Sequence, residues 1–307
     1  MRKFGDRRDA YRVRDINGFQ YVLFDFKPGR CDSAVYMNVD IDVTEFVKFI
    51  KELKKEHEGL TFYHGFVAVM AKVLYSRPFM NRFVANRKMW MHKDVSLASS
   101  IKEEFEDGSV ECLMVIPVGE NDTLFDISRI TKEKVDKIRN KQRGGIDGTA
   151  DFLGKIPGFV RIPIIGLLKW LDKHGWLPKS LMDDNIYYSS AILSNLGTFK
   201  TNGIYHNLTN FGTSSSLITF GEVREKDGKY FMNLGATIDE RIADGFYFCK
   251  ALKLIEYIYA HPELLLEPAG KHVHMPVEEK KDKKEEKKVE KKKENNKEKD
   301  KEEIDIV

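Results

Sequence analysis

Along Val35-Tyr36-Met37-Asn38-Val39-Asp40-Ile41-Asp42, side chains alternate between apolar and polar, the period of a strand with one buried face. Val43-Thr44 follows, and Glu45 to Glu58 then reads as a helix with Thr44 as a plausible N-cap. Thr61 to Ser76 is a second helical stretch, rich in small and apolar residues and stopped before Pro78. Ser96 to Glu103 and Val110 to Val118 are strands about the polar turn Glu106-Asp107-Gly108. Ile130 to Lys141 is a charged helix. Ile186 to Ile192, Ser216 to Val223 and Tyr230 to Asp239 are further strands, and Asp244 to His261 is a helix. Both spacings in one chain predict an α/β fold, a two-layer sandwich in which helices cover a mixed β-sheet.

One stretch breaks this pattern. Phe152 through Met182 carries Ile156-Pro157, Ile162-Pro163-Ile164-Ile165, Leu167-Leu168, Trp170-Leu171 and Trp176-Leu177, punctuated by Lys155, Arg161, Lys169 and Lys173. It reads either as a membrane-surface or partner-binding helix pair, or as a helical insertion (about 145–183) packed on the body or at a subunit interface. Its apolar residues do not gather cleanly on one side of a helix.

Composition narrows the picture. The 51 Lys and Arg nearly cancel the 48 Asp and Glu, leaving a formal charge of +3, so bulk charge gives no support to a nucleic-acid partner. Cys31, Cys112 and Cys249 are odd in number and far apart, with no zinc-like spacing; a disulfide framework and a metal site are not expected. The basic N-terminus has no apolar run behind it and no stretch near 20 apolar residues exists, so neither a secretory signal nor a transmembrane segment is expected. The chain reads as a soluble cytoplasmic protein. Residues 1–270 are expected to form one domain, and 271–307 a tail. From about Glu278 to Glu303 that tail is almost wholly Lys and Glu, with too little apolar surface to offset the entropy of ordering. It reads as an interaction tail or as a solvated, partly helical one.

The residues richest in chemistry are Asp239-Glu240-Arg241-Ile242-Ala243-Asp244-Gly245, set between a strand and a helix. Upstream lies Ser194-Asn195-Leu196-Gly197. The first segment resembles the active-site motif of the chloramphenicol acetyltransferase and dihydrolipoamide acyltransferase superfamily, which runs Asp-His-Arg-x-x-Asp-Gly. Every fixed position matches except the histidine, here Glu240. The second resembles the Ser-Asn-Leu-Gly strand end of dihydrolipoamide acyltransferases. Asn81-Arg82-Phe83 before a short hairpin, the Val39-to-Thr44 approach to a helix, and Pro262-Glu263-Leu264-Leu265 after the last helix extend the resemblance over about Val35 to Pro268.

The resemblance implies a coenzyme A-dependent acyltransferase, working as a homotrimer or higher multiple with each site formed between subunits. Glu240 would stand where the general base stands, and Ser194 would donate a hydrogen bond to the oxyanion. Asn195 and Gly197 would lie beside substrate, and Asp244 would brace the site through an arginine. Partners would be acyl-CoA and an acceptor that the sequence leaves unidentified. No lipoyl domain is expected, since residues 1–34 are too few to form one. The alternative is a catalytically degenerate trimeric scaffold or ligand-binding protein. An ordinary carboxyl near about 4.3 lies about 4 units below a thiol, an uphill transfer of roughly 5–6 kcal/mol, unless burial raises it. His206, and next His64, are alternative bases, each also readable as a polar contact or surface residue. Cys249 reads as a buried, small apolar helix residue or as a nucleophile. The run Phe211-Gly212-Thr213-Ser214-Ser215-Ser216 could line a ligand channel with hydroxyls, Thr213 among them, or be a plain loop before a strand.

Overall fold

The computed structural model describes residues 6–102, 111–140 and 153–276. The Glu106-Asp107-Gly108 turn, residues 145–152 of the insertion and the Lys/Glu-rich segment lie outside them. The chain divides into two compact units, Met1–Val273 and His274–Val307. The first contains a six-stranded sheet and a three-stranded sheet.

Strand β1 (Ala10–Arg12) and helix α1 (Gly18–Phe26) come first. The alternating segment forms β2 (Ala34–Asp42), followed by α2 (Thr44–Glu56) and α3 (Phe62–Ser76). Strands β3 (Arg82–Ala85) and β4 (Lys88–His92) make the short hairpin, turning on Asn86 and Arg87 with φ of 51° and 54°. Strands β5 (Val95–Lys102) and β6 (Glu111–Val118) lead to α4 (Leu124–Arg139). The insertion contributes α5 (Gly158–His174). Strands β7 (Ala191–Asn195), β8 (Ser216–Lys226) and β9 (Lys229–Asp239) and helix α6 (Gly245–Ala260) complete the unit.

The large sheet runs β2-β9-β8-β7-β5-β6; β7 lies parallel to both its neighbours and the other pairs are antiparallel. This is a mixed sheet covered by helices, the expected α/β class. Helices α2, α3, α4 and α6 pack on it and on one another. Phe66 of α3 stacks on Phe220 of β8 at 4.7 Å, and Phe46 of α2 meets Tyr259 of α6 edge-on at 5.1 Å. Phe46, Phe220 and Tyr259 have no exposed surface at all, so this aromatic layer is the centre of the core.

Residues after β7 cross the sheet very close to its backbone. A Cβ on Gly203 would sit 2.6 Å from Gly235 N, and one on Gly221 2.8 Å from Gly203 N, so three glycines meet where the loop crosses β8 and β9. Thr219 Oγ1 donates to Ile204 O at 2.8 Å, and Tyr205 packs on Tyr36 at 5.3 Å.

Three local expectations change. Thr44 does not cap α2: Val43 holds the cap position, while the Thr44 hydroxyl donates to Asp42 and accepts from Tyr230 N at 2.9 Å. Helix α4 begins at Leu124, six residues before Ile130, because Thr123 and Asp126 form a reciprocal capping box. Ile186–Tyr188 is a 3₁₀ turn rather than the start of a strand, since Asn185 accepts from Tyr187 N and Tyr187 O accepts from Thr213 N and Ser214 N. Buried turns and buried strands share one apolar composition, so only these hydrogen bonds separate them.

His64 and His92 are 5% and 8% exposed, and burial lowers both to about 4. His64 Nδ1 sits in the capping box of α3 and meets Ser128 Oγ at 2.9 Å, a structural position. In the unfolded chain each imidazole returns to about 6.5 and binds more protons than the native state does. Stability from these neutral rings is therefore complete above about pH 6.5 and is lost as pH falls toward about 4. Thermal unfolding at pH 7 and pH 5 should differ by on the order of 5 °C, and His92→Asn should flatten that dependence.

Candidate functional site

At its C-terminal end β9 runs into a 3₁₀ turn, Glu240–Ile242. The turn is fixed by its neighbours. Asp239 is fully buried, and its carboxylate accepts from Arg241 Nε at 2.8 Å and from a second guanidinium nitrogen at 2.7 Å. It also accepts from Arg241 N at 3.1 Å, so one side chain holds both the backbone and the guanidinium of the residue two positions on. Arg241 donates its remaining nitrogen to the carbonyls of Lys27 and Pro28 at 2.9 and 3.0 Å. That grip places the residue at the end of α1 beside the turn. Lys27 Nζ pairs there with Glu240 Oε1, between side chains that are 40% and 30% exposed.

The buried network continues beyond the turn. Arg30 lies 3.9 Å from Asp239 and donates to Thr209 O and Gly212 O; burial lowers its pKa and the Asp239 charge opposes that. Gly212 N donates to Asp172 of α5 at 3.0 Å, and Asp172 also accepts from Tyr188 Oη at 2.6 Å and from Arg7. Burial and the Asp172 charge together push the Tyr188 hydroxyl up. Beside these residues lies a groove of about 650 Å³. Its charged lining includes Arg30, Lys169, Lys173 and Arg241 against Asp32 and Asp172, an excess of positive charge suited to an anionic ligand.

The sequence-derived site residues separate into groups. Ser194 is half-buried near the end of β7 and pairs with Thr219 of β8, which pairs with Gly235 of β9. Glu240 lies five residues past Gly235, about 17 Å farther along the strand at about 3.4 Å per residue. One chain therefore does not bring Ser194 and Glu240 together. Asn195 accepts from Gly197 N at 3.1 Å, which shapes the strand end at Ser194. His206 is exposed on the loop crossing the sheet. Thr213 is fully buried, donating its N–H to Tyr187 O at 2.6 Å, with its backbone against His92. With no exposed surface, it lines no open channel among the described residues. Cys249 is an exposed free thiol on α6 and not the buried apolar residue expected, because it falls on the outer side of that helix.

Asp244 is exposed and caps α6, accepting from Tyr247 N at 2.8 Å. The arginine contact expected of Asp244 is made by Asp239 instead, because Asp239 sits at the buried strand end where the Arg241 guanidinium folds back. The sequence motifs do not include Lys27. It lies 213 residues from Glu240, and no local pattern marks it. Lys27 Nζ occupies one oxygen of the Glu240 carboxylate, so a group approaching that oxygen must displace an ammonium.

Replacing Asp239 by Asn should destabilise the chain by about 3–5 kcal/mol, because it leaves the buried Arg241 charge uncompensated. Urea unfolding of the variant beside wild type reads this directly.

A scan against protein-family models and a search of curated proteins give no match. Solved structures do match. A probable dihydrolipoamide acetyltransferase from Listeria monocytogenes superposes with a TM-score of 0.53 at 19% identity, covering 82% of this chain and 95% of that one. The Azotobacter vinelandii dihydrolipoamide acetyltransferase gives 0.54 at 14% identity, covering 83% and 94%. A chloramphenicol acetyltransferase gives 0.53 at 14% identity, covering 81% and 99%. With its mixed sheet, its helical cover and the turn after β9, the chain has the fold of the chloramphenicol acetyltransferase and 2-oxo acid dehydrogenase acyltransferase catalytic domains.

Proposed function

We propose that this protein is a coenzyme A-dependent acyltransferase whose site is completed between subunits of a homotrimer or a higher multiple. The observation that carries this reading is the placing of Glu240 directly after β9, in a turn clamped by Asp239 and Arg241, with Ser194 about 17 Å farther back along the sheet direction. A carboxylate and a hydroxyl so placed can act on one substrate only if a second copy supplies one of them. Glu240 of one subunit then takes the proton of the acceptor thiol or hydroxyl. As the acceptor attacks the acyl thioester, Ser194 of the neighbouring subunit donates to the oxyanion, and collapse releases coenzyme A as thiolate. Asn195 and Gly197 hold the strand end that presents Ser194. Asp244 fixes the start of α6 beside the base. The Azotobacter acetyltransferase is described with a serine, a histidine and an asparagine in its catalytic mechanism, the last two four residues apart, the spacing of Glu240 and Asp244. The groove beside Arg30 and Lys173 is suited to phosphate groups of coenzyme A.

The Lys27–Glu240 pair favours a second reading, in which the carboxylate is a structural partner and the chain is a trimeric scaffold or ligand-binding protein without turnover.

Thiol release from acetyl-, propionyl- and longer acyl-CoA, with thiol, amine and hydroxyl acceptors, separates the two. For a working base, Glu240→Gln should lower kcat by about 10²–10⁴-fold with the oligomer intact, while Lys27→Met should retain turnover. Full activity in the Gln variant would exclude Glu240 as base. Silence in wild type with turnover in Glu240→His would identify the scaffold.

A further inference from the structure

Helix α5 is apolar on two sides. Its inward side, with Leu168 and Leu171, packs on a cluster of Leu177, Met182 and Tyr188, with Leu181 and Phe211. Its outward side carries Phe159, Ile162, Leu167 and Trp170, which are 81%, 70%, 57% and 48% exposed. These four recur at helical spacing on one face. Trp176, just past the end of the helix, is 59% exposed and meets Trp170 edge-on at 5.3 Å, with His174 against both rings. The result is an ordered aromatic edge at the C-terminal end of an exposed apolar face. Solvent is a poor neighbour for such a surface.

The charges carried by this segment are mostly positive. Between residues 153 and 182 the cations are Lys155, Arg161, Lys169, Lys173 and Lys179, and the one acid is Asp172. Asp172 is 5% exposed and turned inward to Arg7, Tyr188 and Gly212 N. The outer side of α5 thus presents cations around apolar residues, and the next acids along the chain are the exposed Asp183 and Asp184, the latter paired with Lys134. A two-fold contact would set these lysines against their own equivalents, and the head-to-tail contact of a trimer would need an acidic, apolar surface on the neighbouring copy to meet them. A surface of lipid phosphates complements them, while Trp and Lys side chains suit the boundary between headgroup and acyl chain. Among the described residues no helix is long and apolar enough to cross a membrane. An in-plane arrangement is what α5 fits, its 17 residues giving a face about 25 Å long.

We propose that α5, with Trp176, docks flat on an anionic lipid bilayer through Phe159, Ile162, Leu167 and Trp170. The docking does not depend on the acyl-transfer reading, and its test uses no turnover.

The full chain is mixed with vesicles of phosphatidylcholine alone and with about one third phosphatidylglycerol, at about 0.1 M salt. The expected result is pelleting with the anionic vesicles and at least about tenfold weaker partition with neutral ones or in high salt. Tryptophan emission should shift to the blue on binding; the other tryptophan, Trp90, is buried and contributes a constant background. Ile162→Ser and Trp170→Ser should each cut partition by about tenfold or more while leaving the oligomer mass unchanged. No pelleting with anionic vesicles, or equal pelleting with neutral ones, would overturn the assignment. So would a lipid-free oligomer that falls to monomer in Trp170→Ser, which would make this face a subunit contact.

Discussion

The ion pair of Asp239 and Arg241 has almost no contact with water, and the arrangement around the candidate site depends on it. Each of these charges loses its hydration on folding, a cost of several kcal/mol that only close hydrogen-bonded geometry repays. The geometry is close: the carboxylate holds the guanidinium with two bonds and the backbone N–H with a third. The remaining donor of Arg241 reaches the Lys27 and Pro28 carbonyls, so the end of α1 is set by the same charge. Arg30 extends the arrangement to the 209–212 loop, and Gly212 carries it to Asp172 of α5. One buried carboxylate thereby connects four segments that are far apart in sequence.

This connection explains why Glu240 meets Lys27. Arg241 must fold inward to reach Asp239, and Glu240, preceding it in a tight turn, is left facing the half-exposed edge where Lys27 has been brought by its own carbonyl. The pair is a consequence of the clamp, and it gives the site a charge balance that an imidazole in the same place would not have. A neutral imidazole carries a donor on its second nitrogen that can fix its orientation. Here an ammonium holds the carboxylate in its place. The sheet register sets the other limit on the chemistry, since a pleated strand gains about 3.4 Å per residue and does not shorten. Ser194 and Glu240 stay apart within one chain whatever their rotamers.

The insertion owes its irregular pattern to having two apolar sides. A helix with one buried side shows a clear periodic contrast, whereas α5 packs Leu168 and Leu171 inward and leaves Ile162 and Trp170 outward, which cancels the contrast. Asp172, the single acid of α5, is also the residue that ties the helix to the body.

What the sequence by itself determined is local in origin. The alternation of β2, the strand character of β8 and β9, the apolar run of α3 and the position of the turn after β9 follow from spacings that act over a few residues. Motif resemblance added the fold, which the solved structures match, and pointed to Ser194, Glu240 and Asp244. Tertiary structure decided the rest, because the physical causes act across long sequence distances. Asp239 rather than Asp244 meets the arginine, since burial at a strand end selects the carboxylate that the guanidinium can reach. Lys27 joins Glu240 across 213 residues through carbonyls that no sequence pattern records. Strand register, which fixes the separation of Ser194 from Glu240, arises from pairing between β7, β8 and β9 and exists only once those strands are side by side.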